Sequence, residues 1–103
     1  MQPDVAQIKR YRGAIIEVLY ARHQAQQSRV DHVALWHILR DLSFDLGENE
    51  LLTVLQDIYE RSYVTYVCRR NRLTNRQEIS QIQLTPRGRD LREETISDPA
   101  VQF

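Results

Sequence analysis

Arg69, Arg70, Arg72 and Arg76 fall within eight residues, interleaved with Asn71 and Asn75. Guanidinium forks at this density suit phosphate oxygens, and amides beside them suit sugar and base edges. Two other arrangements use the same residues: a solvated turn, or arginines paired with acids elsewhere in the chain. Arg87, Arg89 and Arg92 follow further on. They either extend the basic patch or keep a helix soluble. The remaining reactive side chains form no catalytic pattern. His32 and His37 are five apart, which does not place them on one helical face, and His23 stands by itself. With no CxxC and no HExxH, no metal site is expected. Cys68 has no evident base beside it and is expected to be a buried, inert thiol. The chain has no Gly-rich phosphate loop and no nucleophile elbow, and its carboxylates are scattered. The expectation is a protein that is not an enzyme and needs no cofactor.

Formal net charge is zero, with 14 basic and 14 acidic residues, but the charge is segregated. Residues 1–30 carry a net +3, 31–60 a net −6, 61–92 a net +6 and 93–103 a net −3. Bulk electrostatics therefore favour neither nucleic acid nor membrane, whereas the segments are strongly polar with respect to one another. The 103 residues, 42% hydrophobic and 27% charged, fit one globular domain able to bury roughly 65% of its unfolded surface. The single cysteine allows no internal disulfide, which suits a reducing, cytoplasmic setting. No basic start precedes an apolar run, so no secretion signal is expected, and no stretch approaches the ~18 apolar residues of a membrane span.

The elements that would carry these residues can be read from periodicity. Over residues 4–27, Val5, Ile8, Tyr11, Ile15, Val18 and Leu19 recur at steps of three and four, which marks a long amphipathic helix. Asp4 is placed to cap it, and Gly13 inside it costs about 1 kcal/mol relative to Ala. Arg29 and Val30 suit a short strand. Asp31 is a candidate cap for a second helix over 32–42, with Leu35, Trp36, Leu39 and Leu42 as its apolar face. A turn of a few residues leads to a third helix over 47–61, its buried side made of Leu51, Leu52, Val54, Leu55, Ile58 and Tyr59. Two helices so joined form a helix-turn-helix unit. The period then drops to two. Strands over 63–70 and 78–84 flank a polar turn, which makes a β-hairpin with a basic tip. Ile79 and Ile82 are out of phase, and a bulge would reconcile them. Thr85 and Pro86 open a last helix in which Leu91 faces inward. Trp36, Tyr59, Tyr63 and Tyr66 either fill the core or form a stacking platform for single-stranded nucleic acid.

This order of elements is that of the winged-helix fold, and two stretches resemble that superfamily in detail. Leu55-x-x-Ile58-x-x-x-Ser62-Tyr63-Val64 is similar to the end of its recognition helix and the start of its wing. Leu84-Thr85-Pro86-Arg87-Gly88-Arg89-Asp90-Leu91 resembles the "LTxxGrxL" ending of MarR-like and PadR-like regulators, bacterial or phage. The resemblance covers roughly residues 30–91. It implies an α+β fold: a single winged-helix domain over residues 1–95, with long N-terminal helix, helix-turn-helix, two-stranded β wing and C-terminal helix, followed by a flexible tail over 96–103. It further implies a transcriptional regulator that binds double-stranded DNA. Its wing residues Arg69, Arg70, Asn71, Arg72, Asn75 and Arg76 would hold the backbone, and Asn49, Thr53 and Gln56 of the third helix would face base edges. Such regulators pair through terminal helices, so a homodimer through Ile16, Leu19 and Tyr20 of the first helix is expected.

Two departures stand out. Ser62 occupies a position where relatives carry Gly. The third helix is acidic, exposing Glu48, Glu50, Asp57 and Glu60 where phosphates would approach. These acids open a different function: an interaction module that docks a basic protein partner and does not touch DNA.

Overall fold

Residues 5–27 and 29–103 are described by a computed structural model. The chain runs α1 (Val5–Gln24), α2 (His32–Asp41), α3 (Glu48–Glu60), β1 (Val64–Arg70), β2 (Gln77–Leu84) and α4 (Pro86–Arg92). The architecture is α+β, four helices with one two-stranded antiparallel sheet. Asp4, the expected cap of the first helix, lies outside the described residues.

Local chemistry accounts for most starts. Asp31 caps α2 by accepting from the Ala34 amide at 2.8 Å. Thr85 caps α4 by accepting from the Gly88 amide at 3.1 Å, with Pro86 at the first helical position. At α3, Gly47 has no side chain to offer, and Glu50 reaches back to the Gly47 amide at 3.3 Å.

The helix ends share one device that glycine usually supplies. In the Schellman motif the residue after the C-cap takes positive φ, and its amide and the next one bond back into the last turn. Here Gln26, Ser43, Ser62 and Glu94 occupy that place, with φ of 61°, 70°, 68° and 64°. At the end of α3, for example, Ser62 donates to Tyr59 O at 2.9 Å and Tyr63 to Ile58 O at 3.0 Å. The departure from Gly at Ser62 thus coincides with a left-handed backbone.

The sheet register shifts between Thr65 and Val67, and Gln81 on the facing strand takes φ 55°. This is a bulge, and it brings both Ile79 and Ile82 into the core despite their odd spacing. Val30 adds a two-way bridge to Ile82, so the segment before α2 pairs with the outer edge of β2.

Helix α1 is the spine of the molecule, packed against α2, α3, β2 and α4. That explains two corrections. Ile16 and Leu19, expected as spare surface for a second copy, are wholly buried within the chain. Tyr20 is half-buried, and its hydroxyl donates to Glu93 at 2.7 Å. Leu42 and Tyr59, expected inside, are 55% and 48% exposed. Leu42 is the C-cap, where the helix no longer aims its side chains inward.

Residues 96–103, expected as a flexible tail, lie along α1 instead. Gln102 donates its amide to Lys9 O at 3.1 Å, Arg12 donates to Ala100 O at 2.9 Å, and Val101 is buried. Gly13 makes this possible, because a Cβ there would collide with the Gln102 backbone. Gly88 plays the same part in α4, where a Cβ would strike the Tyr63 carbonyl and come within 2.9 Å of Leu84 Cδ2.

Candidate nucleic-acid interface

The hairpin tip is ordered by its own side chains. Asn71 Oδ1 accepts from the Leu73 and Thr74 amides at 2.9 and 3.3 Å, and Asn71 Nδ2 donates to Glu78 at 3.0 Å. Asn75, at φ 56°, donates its amide to Asn71 O at 2.7 Å and accepts from Arg70 at 3.3 Å. Both asparagines, expected as contacts to nucleic acid, are therefore engaged within the turn. Arg69, Arg70 and Arg72 point into solvent, with no ion-pair partner among the described residues.

Arg76 behaves differently. Its Nη2 lies 2.9 Å from each oxygen of Glu48 at the start of α3. The same carboxylate accepts from His32 Nε2 at 3.1 Å. His32 is buried, and its Nδ1 accepts from the Ile79 amide at 3.1 Å. The Ile79 carbonyl also lies 3.3 Å from Nδ1, so both ring nitrogens are engaged, Nδ1 by the Ile79 backbone and Nε2 by Glu48. The His32 hydrogen bond foremost, and the Arg76 guanidinium after it, hold the Glu48 carboxyl below the usual carboxylate range. This chain of contacts fixes the hairpin beside the N-terminus of α3. His32, unassigned by spacing because it lacks a helical partner, is its hinge pin.

The acids of α3 are largely spent in this way. Glu48 meets Arg76, and Glu50 caps its own helix. Asp57 is bridged by Arg12 from α1 and by Arg61 at 3.2 Å. Arg61 continues to Asp98 at 3.6 Å, which also accepts from the Tyr63 hydroxyl at 2.6 Å. That hydroxyl, above all, keeps the Asp98 carboxyl low, while burial foremost pushes the Tyr63 phenol up. Glu60 remains exposed, accepting only from Gln56 at 3.4 Å.

Asn49, Thr53 and Gln56 lie together on the exposed face of α3, although the Thr53 hydroxyl donates back to Asn49 O at 3.0 Å. A cleft flanks this face on either side. One of about 470 Å³ separates α3 from the hairpin and includes Tyr59, Tyr66, Cys68 and Gln77. Another of about 490 Å³ separates it from α1 and includes Ile8, Tyr11 and Arg12. Helix α3 is thus a ridge with a hollow on each flank. Cys68 is exposed in the first hollow and not buried as expected, with Gln77 Nε2 at 2.9 Å from its sulfur. The aromatic residues divide: Tyr63 is core, Trp36 donates to Leu46 O at 2.9 Å, and the Tyr59 and Tyr66 rings pair at 4.8 Å in the hollow.

The arginines of α4 do not join the hairpin patch. Arg87 lies over the Tyr63 ring, Arg89 donates to Leu84 O, and Arg92 pairs with Glu17. Among the described residues, no cluster of three or more His, Cys, Asp or Glu side chains is placed to hold a metal ion. No helix among them is long and apolar enough to cross a membrane. Comparison of the chain with protein-family models, with curated proteins and with solved structures returned no match.

Proposed function

We propose that this chain is a winged-helix protein that binds double-stranded DNA and serves as a transcriptional regulator. Helix α3 enters the major groove and the hairpin, as the wing, holds the flanking backbone. The observation that carries this proposal is the pairing of two features on one side of the molecule. Three exposed arginines, Arg69, Arg70 and Arg72, sit on a pre-ordered hairpin, and that hairpin is tied at Arg76–Glu48 to the start of a protruding helix. The objection that α3 is acidic loses force, because Glu48 and Asp57 are neutralised within the molecule. The alternative, docking of a basic protein on Glu48, Glu50, Asp57 and Glu60, is weakened for the same reason, since it keeps only Glu50 and Glu60 as acids without an arginine partner among the described residues. Binding is proposed for a single copy, since Ile16 and Leu19 are not available to pair two.

The test is the salt dependence of affinity for duplex DNA. Arg72→Ala removes one phosphate contact and lowers the slope of log K against log salt by about one, equally on all sequences. Arg76→Ala weakens binding by another route, because it leaves Glu48 as a bare carboxylate beside the phosphates. Adding Glu48→Gln then restores affinity. Slopes unchanged by Arg72→Ala, with no rescue of Arg76→Ala, would remove the hairpin from the interface.

A further inference from the structure

The apex of the hairpin holds one residue that neither solvation nor phosphate binding explains. Leu73 is 97% exposed, the most exposed of the large apolar side chains among the described residues. Every other residue of the turn 71–76 is polar. The Leu73 backbone is also held, since Asn71 accepts from its amide and from that of Thr74, and Asn75 closes the loop onto Asn71. The backbone part of its ordering cost is met before any partner arrives. The ladder pairs Arg69 with Glu78 and Arg70 with Gln77 beyond buried Ile79, which stands opposite Cys68. Two such rungs lift the turn roughly 7 Å above the core.

We infer that Leu73 is an apolar wedge that enters the minor groove and partly unstacks one base step, kinking the DNA. This rests on the proposal that the hairpin binds DNA. The choice of partner follows from what surrounds the leucine. Arg70 and Arg72 precede it in the chain, are exposed, and would reach phosphates beside the groove. The minor groove is about 6 Å wide and 7.5 Å deep. A two-stranded ribbon with its side chains is wider than that, so only the apex side chain goes in, and it goes in by opening the groove. An aliphatic side chain there can offer nothing to the groove's hydrogen-bonding edges. Its one favourable contact is with base faces, which is how inserted leucines bend DNA toward the major groove. That bend would turn flanking phosphates toward α3. The kink should fall at flexible pyrimidine–purine steps.

The experiment uses a 16-base-pair duplex with a central TA step, 2-aminopurine in place of that adenine, and a fluorophore pair on its ends. The wild-type chain is expected to raise 2-aminopurine emission and to shorten the end-to-end distance. Leu73→Ala should lose both effects while keeping the salt slope, since no charge is removed, and Leu73→Phe should retain them. Affinity should fall by roughly tenfold or less in Leu73→Ala, because burial of the side chain is largely offset by unstacking. Binding with the expected salt slope but no change in either signal would overturn the wedge and leave the DNA-binding proposal intact. Absence of binding at low salt would overturn both. Leu73-dependent capture on phosphatidylserine vesicles, with no effect on the duplex, would assign the leucine to a lipid surface and overturn the wedge.

Discussion

His32 joins three elements through one imidazole: the start of α2, the outer edge of β2 at Ile79, and the start of α3 at Glu48. Removing it leaves the Ile79 amide buried without an acceptor and Glu48 without its strongest partner. His32→Ala should therefore lower stability by roughly 2 kcal/mol or more in urea unfolding, and a loss below about 0.5 kcal/mol would contradict this role. Glu48 and Asp98 carry a pH dependence of their own. Both carboxyls titrate lower in the folded chain than in the unfolded one, Glu48 through His32 first and Asp98 through Tyr63 first. The unfolded state binds the extra protons in that window. Their contribution is thus fully present above the ordinary carboxylate range, near pH 4, and is lost as pH falls through the folded values. Glu48→Gln should lower the neutral plateau and flatten the acid limb of the stability–pH curve, so that variant and wild type converge as pH falls through the folded carboxyl values.

At the scale of elements, the chain ends its helices with non-glycine residues in the left-handed region. For residues other than Gly this conformation costs roughly 1 kcal/mol or more. Ser62→Gly should accordingly be neutral or stabilising, by up to about 1 kcal/mol after the added freedom of the unfolded chain is counted. Gly13→Ala and Gly88→Ala should act in the opposite sense. Each would raise helix propensity in isolation, yet each Cβ meets backbone. Gly88→Ala should cost about 1–3 kcal/mol in urea unfolding. Gly13→Ala should release the C-terminal segment, seen as faster hydrogen exchange at the Gln102 amide and easier proteolytic trimming.

These same residues mark what sequence could and could not show. Asp31 and Thr85-Pro86 announce helix starts through their caps, and the mismatched phase of Ile79 and Ile82 announces the bulge. The ends of α2 and α3 are placed to within one residue by the loss of apolar periodicity, although Gln26, Ser43, Ser62 and Glu94 do the work of glycine and give no glycine signal. Gly13 reads as a mere cost in a helix unless the segment covering it is known. That segment is held by backbone groups, by Arg12 and Arg61 and by the Tyr63 hydroxyl on Asp98, which leave no periodicity. The exposed leucine at the hairpin apex had a signal, a lone apolar residue in a polar turn, that charge reasoning passed over.

On the scale of the whole molecule, part of the segregated charge is resolved inside the chain, at Glu48 and Asp57. The acidic stretch 31–60 finds Arg12, Arg61 and Arg76, and Glu17 finds Arg92. The hairpin tip keeps Arg69, Arg70 and Arg72 as basic surface beside α3. A protein of zero net charge can thus present a locally cationic edge. Sequence alone showed the segregation but not which charges cancel, since that depends on α1 lying across α3 and on the hairpin folding back to Glu48.

The most direct test of DNA binding is fluorescence anisotropy of the wild-type chain on random-sequence duplex DNA at ~50 and ~200 mM salt. Three phosphate contacts predict binding at low micromolar protein in the first and an affinity about fortyfold weaker in the second. No binding at ~50 mM salt, or binding indifferent to salt, would contradict a DNA interface built on the hairpin arginines.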